Sequence, residues 1–269
     1  MRANIGIGLP SNLSPTLTQR ALAILRTYGT DAHLWLPGVG VVNGITAGNF
    51  SDTAGTTPAV VGSTAGVGLV VDAGGGTINA TQGTTAAKPI LRQSSGRYSW
   101  QFDGTDDRLQ LSAVPFQASD DLCVVAAAQC NELAATGRTA FGCSGDGVQR
   151  AGMLYCDNGY WRFRFANDAG TPQEIASTVQ LPAGTLRVVS GRKVGNNRVL
   201  RMNGSQQAAD STAVGTTTLT NAAIGSRSST GLLPFLGNIG PVIAIKGTVS
   251  DADLLTLEKW VGSLSGVTI

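Results

Sequence analysis

The stretch from residue 98 to residue 112 limits the possible folds of this chain more than any other. Its first half places Trp100 and Phe102 on one side of an extended backbone, because successive side chains of a strand point to opposite faces. Its second half alternates leucine with polar residues, the pattern of a half-buried strand. Between the halves, Asp103-Gly104 favours a tight turn, since glycine accepts a positive φ. We therefore predict two short strands joined across a tight turn.

Short strands recur through the rest of the chain, separated by turn signals. Residues 122–128 form a continuous apolar run, which predicts a central strand buried on both faces. Asn158-Gly159 and Asn203-Gly204 are typical of two-residue hairpin turns. Regular short strands with such turns favour a sandwich. The predicted fold class is all-β, a two-sheet antiparallel sandwich with a short N-terminal helix and a short C-terminal helix.

Both predicted helices carry an apolar face at helical spacing. The first has Ser14 as a favourable N-cap and Pro15 at the first helical position. Its apolar face docks either on its own domain or, for assembly, on another chain; that face is Leu17, Ala21, Ile24, Leu25 and Tyr28. The second begins after Ser250, which with Asp253 resembles a capping box. Its predicted buried face is Leu254, Leu257, Val261 and Leu264, with Trp260 beside it.

The composition argues against several classes of partner. Charged residues are 13% of the chain and the net charge is +2, so nothing predicts the basic surface that a nucleic-acid partner requires. No apolar run approaches the roughly 18 residues of a membrane span, and no secretory signal is recognisable. We expect four free, buried cysteines in a chain made in a reducing cytoplasm. A bridge across a hairpin between Cys143 and Cys156 is the alternative.

The run Phe102-Asp-Gly-Thr-Asp-Asp107 resembles the signature that opens laminin G-like, concanavalin A-like jelly-roll domains. The segments before it resemble, in their order, the leading segment of jelly-roll proteins of tailed-phage virions; they are residues 33–36, 50–58, 72–76, 79–82 and 88–89. Three later segments are similar to the closing strands of the same family; they are residues 201–204, 223–225 and 235–240. The resemblance covers roughly residues 33–266.

This resemblance implies a jelly-roll sandwich over residues 31–269, preceded by an arm and helix over residues 1–30 that anchor the protein during assembly. It implies a non-enzymatic structural protein of a tailed-phage virion, in the tail, baseplate or collar or as a capsid decoration. The expected partners are other virion proteins and copies of the same chain. The expected location is the virion, after synthesis in the cytoplasm of a host bacterium.

Residues for catalysis are sparse. The single histidine, His33, lies in an apolar strand without a Gly-x-Ser-x-Gly motif, which disfavours a serine triad. Retaining glycosidases need two carboxyl groups about 5–5.5 Å apart, whereas the three glutamates, at 132, 174 and 258, are distant in sequence. Asp106 and Asp107 would point to opposite faces of a strand. We predict no enzyme activity, with an atypical glycoside hydrolase as an alternative.

Two features keep a binding function open. Asp103, Asp106 and Asp107 form an oxygen-rich turn, which either holds Ca²⁺ or only satisfies its own backbone, and the second interpretation is favoured. No other cofactor is predicted. Tyr160 and Trp161 follow a turn, so one of them faces outward and is a candidate glycan contact. The alternative function is therefore a lectin-like module that contacts host surface polysaccharide.

Overall fold

The computed structural model describes residues 15–133, 137–145, 150–166, 171–227 and 231–269. The predicted N-cap Ser14 and the part of the predicted arm that precedes it lie outside these ranges. Two α-helices are present in them, α1 (Pro15–Tyr28) and α2 (Asp251–Ser265). The strands are β1 (Ala32–Trp35), β2 (Gly40–Val42), β3 (Ile45–Ala47), β4 (Asn49–Phe50), β5 (Leu69–Val70), β6 (Ala80–Thr81), β7 (Ile90–Ser94), β8 (Arg97–Asp103), β9 (Leu109–Leu111), β10 (Leu122–Cys130), β11 (Arg138–Ser144), β12 (Arg150–Asp157), β13 (Tyr160–Ala166), β14 (Pro172–Ala176), β15 (Thr185–Val194), β16 (Asn197–Met202), β17 (Ser205–Asp210), β18 (Asn221–Ile224) and β19 (Leu236–Lys246).

The strands form two large antiparallel sheets. The eight-stranded sheet has the order β17-β16-β15-β10-β19-β8-β7, with β1 also paired to β19. The nine-stranded sheet has the order β14-β13-β12-β11-β18-β9-β6-β5-β4, and β2 and β3 form a separate hairpin. The predicted fold class, an all-β antiparallel jelly-roll sandwich with a helix near each end, is confirmed.

The main core lies between the two sheets. In β13 the aromatic residues Trp161, Phe163 and Phe165 point inward and are buried, while the residues between them are partly exposed. Phe235 contacts Trp161 and lies edge-to-face with Phe102 at 6.3 Å between ring centroids. Each large apolar side chain buried in this way stabilises the fold by about 1.5–3 kcal/mol. The alternation therefore fixes which face of each strand points inward.

A second core lies on the outer face of the eight-stranded sheet, beneath α1 and α2. It explains why β10 is apolar on both faces, as predicted. Val124 of β10 belongs to the core between the sheets, whereas Val125 belongs to the second core with Leu25 of α1 and Trp260 of α2. Because helices cover this sheet, its central strands are shielded from solvent on both sides.

The expected hairpin at Asp103-Gly104 is wrong. β8 and β9 do not pair: β8 lies between β7 and β19 in the eight-stranded sheet, and β9 lies between β6 and β18 in the nine-stranded sheet. Phe102 and Leu109 both reach the main core, but from opposite sheets. The residues between them therefore cross from one sheet to the other, and the tight turn at Gly104 (φ 80°) begins this crossing.

The two Asn-Gly turns and the predicted cap of α2 are confirmed. Asn158-Gly159 and Asn203-Gly204 join β12 to β13 and β16 to β17, with positive φ at all four residues. The Ser250 hydroxyl accepts a hydrogen bond from the Asp253 amide at 3.1 Å and so caps α2. The five apolar residues predicted for the inner face of α2 are all buried. Among the described residues, neither helix has the length and apolar character needed to cross a membrane.

Candidate functional site

An apolar groove of about 480 Å³ runs between α1 and the first strands of the chain. Leu22 and Leu25 line it from α1, and Phe50 and Val71 line it from the strands. Gly48 lets the chain pass close to Val71, because a Cβ atom at position 48 would lie 2.8 Å from the Cβ of Val71. The groove is a concave, mainly apolar surface beside the predicted assembly helix.

The predicted assembly face of α1 packs on the protein's own sandwich. Ala21 and Leu25 are buried in the second core, and Leu17, Ile24 and Tyr28 are half-buried against it. The Tyr28 hydroxyl also donates a hydrogen bond to the carbonyl of Thr248 at 2.7 Å. Of the two predicted alternatives for α1, the structure thus shows packing of the helix on its own domain. An additional contact of this helix with another chain stays a prediction.

The predicted glycan contacts have opposite orientations. Tyr160 is partly exposed on the outer face of the nine-stranded sheet. Trp161 is 1% exposed and contacts Phe235 inside the main core. The prediction of a glycan contact is therefore corrected for Trp161, because a sugar cannot reach a ring that is buried between the sheets. Tyr160 keeps the orientation that such a contact needs.

The three aspartates converge in the crossing between β8 and β9, with one carboxylate oxygen of each within 4.8 Å of the others. Asp106 and Asp107 lie in a turn rather than on a strand, so the expectation of opposite orientations is wrong. Asp107 accepts a hydrogen bond from the amide of Asp103, and Asp103 in turn accepts one from the amide of Thr105. Burial and the negative charges of Asp103 and Asp106 raise the pKa of Asp107 to about 7. The carboxylates can hold a cation, and they also satisfy backbone amides of the turn.

The three glutamates occupy separate ion pairs. Glu132 bonds to Arg138, Glu174 to Arg162 and Tyr155, and Glu258 to Arg201 and Ser190; all these contacts are direct hydrogen bonds. No two glutamates therefore form the pair of carboxyl groups that retaining glycosidases use.

His33 has a structural environment. Its Nδ1 atom lies 2.7 Å from the Asp72 carboxylate, and its ring stacks on Trp35. The other oxygen of Asp72 accepts hydrogen bonds from the amides of Leu34 and Gly74. This buried pair fixes the turn that starts at Asp72.

All four cysteines are free and buried. Cys143 pairs with Ala151 across the strands, and Cys156 pairs with Arg138 and Trp161, so the hairpin bridge between Cys143 and Cys156 is wrong. The interaction of Cys130 with the Cys156 thiol instead lowers the pKa of Cys130 and raises that of Cys156. This pair joins β10 of one sheet to β12 of the other.

The nine-stranded sheet also carries residues that sequence reasoning missed. Arg150, Arg164 and Arg227, which we term the arginine cluster, influence one another electrostatically on its outer face. The alternation in β13 indicates that Arg164 points outward. No sequence pattern predicts that Arg150 and Arg227 lie near Arg164, because their proximity depends on the strand order and on a bulge in β12.

No family model and no curated protein matches this sequence. Similar solved structures include the binding domain of botulinum neurotoxin serotype G, with a TM-score of 0.56 and 7% identity over 71% of this chain and 48% of that one. They also include the binding domain of Paraclostridial Mosquitocidal Protein 1, with a TM-score of 0.50 and 8% identity over 67% and 49%. The CBM40 domain of the Ruminococcus gnavus IT-sialidase, bound to α2,3 sialyllactose, has a TM-score of 0.45 and 18% identity over 52% and 84%.

This chain aligns with about half the length of the two toxin domains. At such low identities the likeness is one of fold: the chain is a β-sandwich of the kind found in these binding domains. The predicted link to tailed phages has no counterpart among these structures and stays a prediction.

Proposed function

We propose that this chain is a non-enzymatic β-sandwich subunit of a tailed-phage virion, in the tail, baseplate or collar or as a capsid decoration. It acts by assembly with copies of itself and with other virion proteins. The sequence resemblance supports the virion location. Similar solved structures are binding and receptor-binding domains of toxins, which supports a binding role over a catalytic one.

The apolar groove beside α1 is the main structural support for the proposed assembly role. The occupant that we propose is the segment of residues 1–14 of a neighbouring copy. In this segment Ile5, Ile7 and Leu9 recur at every second position, so an extended chain presents them on one face. Fourteen residues can span at most roughly 45 Å when fully extended. The segment supplies apolar side chains, and the groove supplies an apolar surface.

The test combines a change in the groove with a change in the arm. Val71, which is 36% exposed, is replaced in Val71→Glu, and residues 2–12 are deleted in a second variant. Val179→Glu is the matched control, since Val179 is 52% exposed and does not line the groove. Native mass spectrometry and incorporation into particles are the measurements. Both variants should lose assembly while the control assembles normally. Full assembly of both variants would contradict the proposal.

Glycan binding is the second candidate function, and the outer face of β13 favours it. Tyr160, Arg162 and Arg164 point outward at every second position of this strand. A tyrosine ring and charged donors in one row can contact the apolar face and the polar groups of successive sugars. A glycosidase is not proposed, because the glutamates are held in separate ion pairs.

A further inference from the structure

The arginine cluster and Ser144 meet at one end of the nine-stranded sheet. Ser144 is paired with Arg150 in β12 and with Asn221 in β18. Its neighbour Cys143 points into the main core, so Ser144 and Arg150 face outward. Strand β12 has a bulge next to Gly152, whose φ is 61°. The bulge adds one residue to the alternation, so that Arg150 and Met153, three positions apart, share the outer face.

Arg164 and Arg227 reach the same region by different routes. Arg164 pairs with Met153 across β12 and β13 and therefore lies on the outer face. Arg227 follows β18, and its backbone crosses the sheet over Gly142: a Cβ atom at Gly142 would lie 3.0 Å from the Arg227 carbonyl oxygen. A side chain at position 142 would force this segment to move outward by a few tenths of an ångström.

Within the described ranges, few negative charges compensate the positive charges of the cluster. Arg150 and Arg227 form no ion pair with any residue that the structure describes. Arg164 approaches the Glu174 carboxylate only to 3.9 Å, and that carboxylate is already bound by Arg162 at 2.6 Å. Burial and the charges of Arg227 and Arg164 lower the pKa of Arg150 to about 10. Enclosing like charges in this way is costly unless an anion accompanies them.

Three enclosed polar atoms of this region have no hydrogen-bond partner within the described part of the chain. They are Nε of Arg150, Nε of Arg164 and the hydroxyl oxygen of Ser144. Arg150 is 8% exposed and Ser144 is 3% exposed, whereas the side chain of Arg164 is 18% exposed. All three can donate a hydrogen bond. A guanidinium matches the two oxygens of a carboxylate, sulfate or phosphate group.

We infer that Arg150, Arg164, Arg227 and Ser144 bind one oxyanion group of an acidic polysaccharide, a carboxylate, sulfate or phosphate. The inference rests on the glycan-binding function, our second candidate. Tyr160 supports an extended ligand, since it lies on the same face four residues from Arg164, about 13 Å along the strand. The cluster binds the acidic substituent, and Tyr160 contacts a sugar ring further along the same polymer.

The test measures binding of the full chain to polygalacturonate, dextran sulfate and neutral dextran by calorimetry at constant ionic strength. The first two polymers distinguish carboxylate from sulfate, and inorganic phosphate and sulfate are titrated as the free ions. Arg150→Gln and Arg227→Gln should each weaken binding of an acidic polymer roughly 10-fold to 100-fold. Arg92→Gln is the control, because it removes the same charge from an exposed position of the other sheet. Its binding should stay within about twofold of the unmodified protein, as expected for a distant surface charge.

Arg227 is half-buried, so its variant keeps the test valid if Arg150→Gln fails to fold. Unchanged binding in the folded variants would overturn the site. Equal binding of neutral dextran would also overturn it, while leaving the glycan-binding function intact. Binding of the free ions without either acidic polymer would overturn the polysaccharide as ligand. No binding of any polymer or ion would contradict both the site and the glycan-binding function.

Discussion

Trp100 and Asn49 join the two sheets through a buried hydrogen bond. The indole Nε1 of Trp100 in β8 donates to the Asn49 side-chain oxygen in β4 at 2.7 Å, across 51 residues of sequence. The Asn49 amide nitrogen also donates to the carbonyl of Leu36 at 2.7 Å. One side chain at the edge of the nine-stranded sheet thus satisfies a donor and an acceptor on neighbouring segments.

Asn49→Ala should therefore destabilise the fold strongly. It leaves the Trp100 N–H and the Leu36 carbonyl without partners, and each unsatisfied buried group costs about 1–3 kcal/mol. We expect a loss on the order of 2–5 kcal/mol in the free energy of unfolding, measured by urea denaturation. Asn196→Ala in an exposed turn is the control and should change stability by less than about 0.5 kcal/mol. Equal stabilities of the two variants would contradict the role of Asn49.

Helix α1 should be an integral part of the folded domain. Leu25→Ala removes a buried side chain from the second core and should cost about 2–5 kcal/mol. Ile24→Ala, at a half-buried position of the same helix, is the matched control with a smaller expected loss. Urea denaturation followed by circular dichroism measures both. A Leu25→Ala protein as stable as the unmodified chain would show that α1 is not anchored on its own sandwich.

Asp107 should make stability fall as the pH rises. Its pKa is about 7 in the folded protein, above the ordinary value of 3.8. A raised pKa means that the protonated form stabilises the fold, fully below about pH 4, and that this contribution is lost as the pH rises through 7. At about 1.4 kcal/mol per unit of pKa shift, the loss is on the order of 4 kcal/mol.

Asp107→Asn should remove this part of the pH dependence, because asparagine can still accept the Asp103 amide. Thermal unfolding at pH 4.5, 6 and 8 measures the difference between the two proteins. A difference that does not change with pH would contradict the raised pKa. Addition of CaCl₂ at pH 8 tests the calcium hypothesis with the same pair: Ca²⁺ at this turn should stabilise the unmodified protein and leave Asp107→Asn unaffected.

Cys130 and Cys156 should form the first disulfide under oxidation. The low pKa of Cys130 favours the thiolate, and its neighbour supplies the second sulfur. Diamide should accept two electrons and two protons from this pair as the S–S bond forms. Burial raises the pKa of Cys123 and of Cys143, so these thiols should stay reduced. Peptide mapping by mass spectrometry identifies the bridge, and a disulfide that contains Cys123 or Cys143 would contradict this assignment.

Local patterns predicted the sandwich, the hairpin turns and α2 because each depends on residues close in sequence. The Asn-Gly turns and the cap at Ser250 are of this kind. The turn at Asp103-Gly104 was equally recognisable, but a turn signal does not determine whether the flanking strands pair. Here β8 and β9 join different sheets, since Phe102 and Leu109 enter the core from opposite sides.

The candidate sites were less predictable because they depend on register. Alternation placed Tyr160 and Trp161 on opposite faces, but it did not indicate which face is covered by the second sheet. The arginine cluster was missed because Ser144, Arg150 and Arg227 meet only through the order of β12, β11 and β18. The bulge at Gly152 also interrupts the alternation of β12, so a period-two pattern does not predict which face Arg150 occupies.

Immunogold electron microscopy of particles purified from the source tests the central claim most directly. Antibodies against the chain should label intact virions at a fixed position, because an assembled subunit occupies equivalent sites on every particle. Label at the capsid, the collar or the tail would also assign its place. Unlabelled particles, with the protein free in the lysate, would contradict the assembly function and favour glycan binding instead.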